Sequence, residues 1–317
     1  MTDQNRVSIN EVAPRDGFQN EAHFIPTEDK IAFINQLSES GYSKIEVSSF
    51  TSPKAIPALR DAEMVMHEIK RNPEVTYTAL VPNVRGAERA VECQLDEINL
   101  VMSLSETHNI ANLRMTREQS FAQIKAVIEA VKGTETAINV SFSTVFGCPM
   151  EGEVEEHIIE AWTERFALIG VKKITLCDTT GMAYPAQVKR IFTRAQELFA
   201  DIVFTAHFHN TRGMGLVNAL AAADVGIRDF DASLGGLGGC PYAPGASGNV
   251  STEDLVHMLE LNGFNTGVNL DKIIKIAQNL PNLIQHDISS QVTKAGLRDK
   301  KHAIPEHVNN FIQTLNS

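Results

Sequence analysis

Eight short runs rich in β-branched and aromatic residues are spread along the chain, each followed by a stretch with helical spacing. The runs are VSINEV (7–12), KIEVSSF (44–50), VTYTALV (75–81), EINLVMS (97–103), AINVSFSTV (137–145), KITLCD (173–178), IVFTAHFH (202–209) and DFDASLG (229–235). Such alternation calls for parallel strands, because each helix carries the chain back to the end of the sheet where the next strand starts. Eight units of this kind close into a (β/α)8 barrel, a TIM barrel, which is the expected fold; a doubly wound open sheet is the alternative the same pattern allows. The helical stretches TEDKIAFINQLSESG and TREQSFAQIKAVIEAVKG open at Thr27 and Thr116, the second with Glu118 nearby and Gly133 closing it. No internal repeat or linker divides the chain. The expectation is one barrel domain over 1–317, with additional C-terminal helices from about 265 to 317 packed on its outside.

The net charge of -11 argues against nucleic acid as a partner, since phosphate neutralisation needs a basic face. It leaves room for a small anionic ligand, and a local basic patch (Lys294, Arg298, Lys300, Lys301) lies near the end. No apolar run approaches the roughly 20 residues of a membrane helix. The opening MTDQNRVSINEVAPRDG has neither a signal core nor an Arg-rich transit segment, so a cytoplasmic protein without a membrane partner is expected. Cys93, Cys148, Cys177 and Cys240 form no CxxC pair, which points to reduced thiols rather than structural zinc.

In a barrel, polar residues at the C-terminal ends of the strands meet at one mouth, where active sites sit. Strand 1 delivers Arg15 and Asp16, strand 2 Glu46 and Ser49, strand 6 Cys177 and Asp178, and strand 7 His207 and His209. Strand 5 ends near Cys148; it and Cys177 read as small buried hydrophobes. His207 and His209 stand at i and i+2, so on a strand both rings face one side. Alone, this pair fits two satisfied polar histidines as well as it fits two metal ligands. Asp16 from a near strand, with Asn249 as an amide oxygen, favours a divalent ion bound with open positions for a chelating substrate. Arg15 suits an oxygen that becomes negative, with Glu46 to fix its fork. Asp178 serves either as a base or as an acceptor for a metal-bound histidine.

The stretch after strand 8, ASLGGLGGCPYAPGASGN, holds six of the chain's 20 glycines between Gly235 and Gly248, with Cys240 among them. Glycine disfavours order, so such a run implies either close backbone approach or movement. Movement is the expectation, with the thiol carried on a closing loop.

EVAPRDGFQNE, KIEVSSFTSPK, TLCDTTG, AHFHNTRGMGLVNAL and GGLGGCPYAPGASGNVSTEDL together resemble the hydroxymethylglutaryl-CoA lyases, in register from about Val7 to about Leu270. The resemblance implies cleavage of 3-hydroxy-3-methylglutaryl-CoA to acetyl-CoA and acetoacetate with Mg2+ or Mn2+. It implies Asp16, His207, His209 and Asn249 as metal ligands, and Arg15, oriented by Glu46, against the developing enolate. Cys240 would be the acid–base thiol, with Asp178 and His207 near the C3 hydroxyl. Arg15, Gln19, Ser49 and Asn112 would bind the acyl-CoA substrate, and a homodimer is the family's expectation. Leu234 and Gly235 stand where Val and Ala are usual, Ala13 where Gly is common, Phe18 where Leu is common, and Gln291 where a basic residue is expected. Three alternatives stay open. They are a lyase for citramalyl-CoA or a longer branched 3-hydroxyglutaryl-CoA, a condensing enzyme of the isopropylmalate synthase kind, and a non-catalytic CoA- or metal-binding barrel.

Overall fold

The computed structural model describes residues 5–239 and 248–315. Eight parallel strands close into a barrel in sequence order, β8 pairing back onto β1. They are β1 (Ser8–Glu11), β2 (Lys44–Ser49), β3 (Thr76–Leu80), β4 (Glu97–Ser103), β5 (Ala137–Ser143), β6 (Lys173–Asp178), β7 (Val203–Phe208) and β8 (Asp229–Ala232). The helices of the ring are α1 (Thr27–Ser38), α2 (Ala62–Glu68), α3 (Val84–Glu92), α4 (Glu106–Leu113), α5 (Arg117–Ala130), α6 (Glu156–Leu168), α7 (Pro185–Leu198), α8 (Gly215–Asp224) and α9 (Thr252–Leu261). Beyond it lie α10 (Leu270–Ile284), α11 (Val292–Ala295) and α12 (Glu306–Leu315). The closed barrel removes the open-sheet alternative. The helix α10 buries Ile273, Ile276, Ala277, Leu280 and Ile284, whereas α12 buries nothing. Among the described residues no helix is long and apolar enough to cross a membrane.

Every strand presents two different faces, as the period of two requires. Ile9, Ile45, Ile98, Leu100, Val140, Phe142, Ile174, Leu176, Phe204, Phe208 and Phe230 belong to the apolar core cluster. Barrel interiors are commonly filled by branched apolar side chains. Here polar groups fill it. Glu97 on β4 takes ion pairs from Lys44 on β2 and Lys173 on β6, the second at 2.7 Å. One layer nearer the mouth, Asn139 donates to Asn99 and Thr175, both at 3.0 Å, and Asn99 donates to Glu46 at 3.1 Å.

Thr116 caps α5 as expected, but its reciprocal partner is Gln119, while Glu118 turns outward to a two-pronged pair with Arg165. Thr27 does not cap α1. Its hydroxyl donates to Asp61 at 2.7 Å, beside the buried Lys30–Asp61 ion pair that ties α1 to the start of α2.

Glu11, fully buried at the end of β1, accepts from Ala13 N, Leu234 N and the Thr252 hydroxyl at 2.8–2.9 Å. It therefore joins β1, the segment after β8 and the first turn of α9. Burial pushes its carboxyl up to about 7, against the pull of those three donors. The unfolded glutamate titrates near its ordinary value of about 4.3. Between there and 7 the folded chain holds a proton that the unfolded chain has lost, so stability falls as pH rises through this window and is flat above it. At 1.36 kcal/mol per unit the loss is roughly 3–4 kcal/mol. Glu11→Gln keeps the acceptor and the volume but cannot titrate. Urea midpoints from pH 4.5 to 8 are expected to show the variant gaining on the wild type with rising pH; a constant difference would contradict this.

Candidate active site

The residues after β1 form a five-residue π-turn, Ala13–Gly17, in which Asp16 N and Gly17 N both reach back to Val12 O, at 2.7 and 3.4 Å. Such turns are rare and cluster at functional sites. This one brings the neighbouring Arg15 and Asp16 out together at the C-terminal mouth. There they line a cavity of about 610 Å³ with Gln19, Cys177, His207, His209 and Asp231.

The Arg15 guanidinium is held at two points, with Nε donating to Glu46 Oε2 at 2.7 Å and Nη1 to Asp16 Oδ1 at 3.0 Å. Glu46, on β2, is itself held by Asn99. Its burial raises the carboxyl, with Arg15 and Asn99 opposing. Asp16 is buried as well. Burial works against its charge, but Arg15, His207, His209 and the Asn249 amide together hold it below the ordinary range. Its Oδ1 also accepts from Gln19 Nε2 at 3.2 Å, and its Oδ2 from Asn249 Nδ2 at 2.6 Å.

Asp16, His207 and His209 offer three ligand atoms that all lie within 4.8 Å of one another, the one such acid–imidazole group among the described residues. The two rings tilt by 40° with centroids 5.3 Å apart. Burial, helped by His207, pushes His209 down to about 3, so its imidazole is neutral and keeps a lone pair. His209 Nδ1 and Asn249 Oδ1 are buried without a hydrogen-bond partner among the described residues. Unpaired buried polar atoms are costly. One carboxylate, two imidazoles and an amide oxygen form a donor set that fits a divalent cation of the harder kind.

One placement differs from the sequence expectation. Asp178 does not line the cavity. Thr175 and Cys177 face the barrel interior, so the alternation of β6 turns Asp178 the other way. There its Oδ1 accepts from Met182 N at 2.7 Å and Ala183 N at 3.1 Å. Burial raises it to about 6, with those two amides opposing. Cys177 is buried, as expected, and borders the cavity from the end of β6; burial pushes its thiol far up. The acceptor that His207 does have is Asp231, which the sequence pattern did not single out: Nδ1 lies 3.2 Å from its Oδ2.

Of the remaining expected residues, Gln19 and Asn112 line the cavity. Ser49 is buried and donates to Thr51 at 2.8 Å, and it is Thr51 that borders the cavity. Cys148 is buried in the loop after β5, accepting from Ser105 at 3.1 Å. Cys240 lies outside the described residues. The root of its loop is packed rather than slack. At Gly238, with φ +93°, a Cβ would stand 2.7 Å from Asn249 Nδ2 and 3.0 Å from Asp16 Oδ2. At Gly235, with φ +69°, it would meet Ile288 Cγ2 at 2.8 Å. These glycines serve close approach, and Gly238 lets the loop's backbone lie directly against the Asp16–Asn249 contact.

The model of the family described as HMGL-like matches residues 6–280. The chain is 46% identical over 273 residues to a hydroxymethylglutaryl-CoA lyase of Bacillus subtilis, covering 86% of this chain and 91% of that one. It is 38% identical over 290 residues to the mitochondrial hydroxymethylglutaryl-CoA lyase of Homo sapiens, covering 92% and 89%. A solved HMG-CoA lyase from A. baumannii, in complex with coenzyme A and 3-methylmalate, superimposes with a TM-score of 0.92 at 50% identity, covering 96% of this chain and 100% of that one.

Proposed function

The chain belongs to the HMGL-like family, and from that premise we propose that it cleaves 3-hydroxy-3-methylglutaryl-CoA to acetyl-CoA and acetoacetate as a carbon–carbon lyase. The observation that carries this is one mouth holding two complementary devices. A guanidinium fixed at two points stands beside a carboxylate with two imidazoles at metal-binding separation.

The reaction is a retro-Claisen cleavage. The C3 hydroxyl gives up its proton, the C2–C3 bond breaks, and its electrons pass to the thioester as an enolate that is then protonated at C2. Arg15 suits the enolate oxygen, because its charge is permanent and Glu46 holds the fork before charge develops. Asp16, His207, His209 and Asn249 would hold a divalent cation, with Mg2+ or Mn2+ the candidates. When bound, such an ion supplies Lewis acidity toward a substrate hydroxyl. Gln19 and Asn112 line the cavity and would contact the acyl-CoA, with Thr51 lining it in place of Ser49. The similarity to a lyase crystallised with coenzyme A supports that substrate class. Cys240, by its place in the GGLGGCPYA run, would carry the proton to C2. Asp178, with its Oδ1 bonded to its own loop, would support the mouth. A homodimer belongs to the same proposal.

Purified protein with Mg2+ or Mn2+ is expected to release equal amounts of acetyl-CoA and acetoacetate, to lose this on EDTA treatment and to regain it with the ion. Cys240→Ser is expected to lower turnover steeply while Mn2+ still binds. Acetyl-CoA release from citramalyl-CoA but not from the hydroxymethylglutaryl ester would move the substrate. Full activity after EDTA would remove the metal, and a fully active Cys240→Ser would remove the thiol.

A further inference from the structure

We propose that Asp231 is the positioning residue for His207, fixing which ring nitrogen is presented to the ion site. Three residues stand in one row across the barrel. Asn10 on β1 and Asp231 on β8 are register partners, and so are His207 on β7 and Asp231. The side chains follow that register. Asn10 Nδ2 donates to Asp231 Oδ1 at 2.9 Å, and His207 Nδ1 meets Asp231 Oδ2 at 3.2 Å. Both carboxylate oxygens are therefore engaged, one from each neighbouring strand, and Asn10 is itself buried.

With both its oxygens occupied by partners on rigid strands, the carboxylate has little freedom to rotate away. A carboxylate accepts but cannot donate, so the nitrogen facing it must carry the hydrogen. That leaves Nε2 as the lone-pair nitrogen of His207. Partners of this kind orient metal-ligating histidines, and their loss typically costs about 10- to 100-fold in metal affinity. Among the described residues Asp178 makes no hydrogen bond to His207; its Oδ1 accepts from Met182 and Ala183 on its own loop. The proposal rests on Asp16, His207 and His209 being ligands of a divalent cation.

Asp229 supplies an internal control. It lies two residues before Asp231, hence on the same face of β8, and its charged neighbours are Lys44, Asp231, Lys173 and Glu97 rather than His207. Asp231→Asn and Asp229→Asn each remove one negative charge from the barrel interior at nearly constant volume. Mn2+ titration by calorimetry is expected to show about 10- to 100-fold weaker binding for Asp231→Asn and near wild-type binding for Asp229→Asn. Equal losses in the two would show that the field, not the contact, matters, and an unchanged Asp231→Asn would equally overturn the proposal. A wild type that binds no Mn2+ would take the ion site down with it, which separates the two failures.

The wild type gives a second readout that does not depend on any variant folding. In 15N-histidine spectra of the Mg2+-loaded protein, His207 is expected as the Nδ1–H tautomer. The Nε2–H tautomer there would overturn the assignment.

Discussion

Arg15→Met is expected to lower kcat by roughly 100- to 1000-fold, the range seen when a fixed donor to a developing oxyanion is removed, with a far smaller rise in KM. The enolate charge that Arg15 is proposed to meet would exist mainly in the transition state, and the side chain is held in place before any such charge develops. Its Nε is bonded to Glu46 and one terminal nitrogen to Asp16. Methionine keeps much of the length and apolar stem while deleting the charge. The substitution also leaves Glu46 buried with only Asn99, so a loss of stability is expected alongside. Thermal melts separate the two effects, because kinetics are compared on folded protein. Normal kcat with only a raised KM would show that Arg15 holds the substrate and no more.

The second large effect is expected for Asp16→Asn. Asp16 is the sole carboxylate of the Asp16–His207–His209 group and also an acceptor for Arg15, Gln19 and Asn249. An amide in its place offers one oxygen instead of two and turns a donor toward one of three existing donors. Ion affinity is expected to fall by more than the 10- to 100-fold typical of changes behind the ligands. Turnover should fall with it at any practical ion concentration. Calorimetry with Mn2+ checks the first and acetoacetate release the second. A variant that binds Mn2+ normally would remove Asp16 from the ligand set.

The barrel was legible because alternation of β-branched runs with helical spacing is a local signal, repeated eight times. The expected runs contain the observed strands with at most a few extra residues at the ends. His207 and His209 were legible because i, i+2 on a strand is also local. Asp231 was not, since its importance comes from register against β1 and β7, which no local pattern encodes. That Asp178 turns away from the cavity follows from the same strand alternation. In KITLCD, Ile174 and Leu176 lie on the core side, and counting by twos puts Asp178 with them and Cys177 opposite. In the glycine run, where movement is the expectation, the described positions Gly235 and Gly238 show close approach, while Cys240 and the rest of the loop lie outside the described residues. Composition cannot distinguish slackness from crowding when the crowding atoms belong to Ile288 or Asp16, far away in the chain.

The charged layer formed by Lys44, Glu97 and Lys173 has a bearing on how such a barrel can drift. Each of the three sits on a different strand, two places apart around the ring, and Glu97 is shared. Removing Glu97 alone takes the shared partner from both lysines at once, at a cost of about 3–5 kcal/mol for a broken buried pair, whereas removing one lysine leaves Glu97 its other partner. Replacing them as a set with apolar side chains of matching volume, and with them Asp229, whose charged neighbours they are, is often neutral. Substitutions at these positions should therefore travel together in descendants of this chain. A library randomised at all four at once should return folded combinations that no series of single steps would reach.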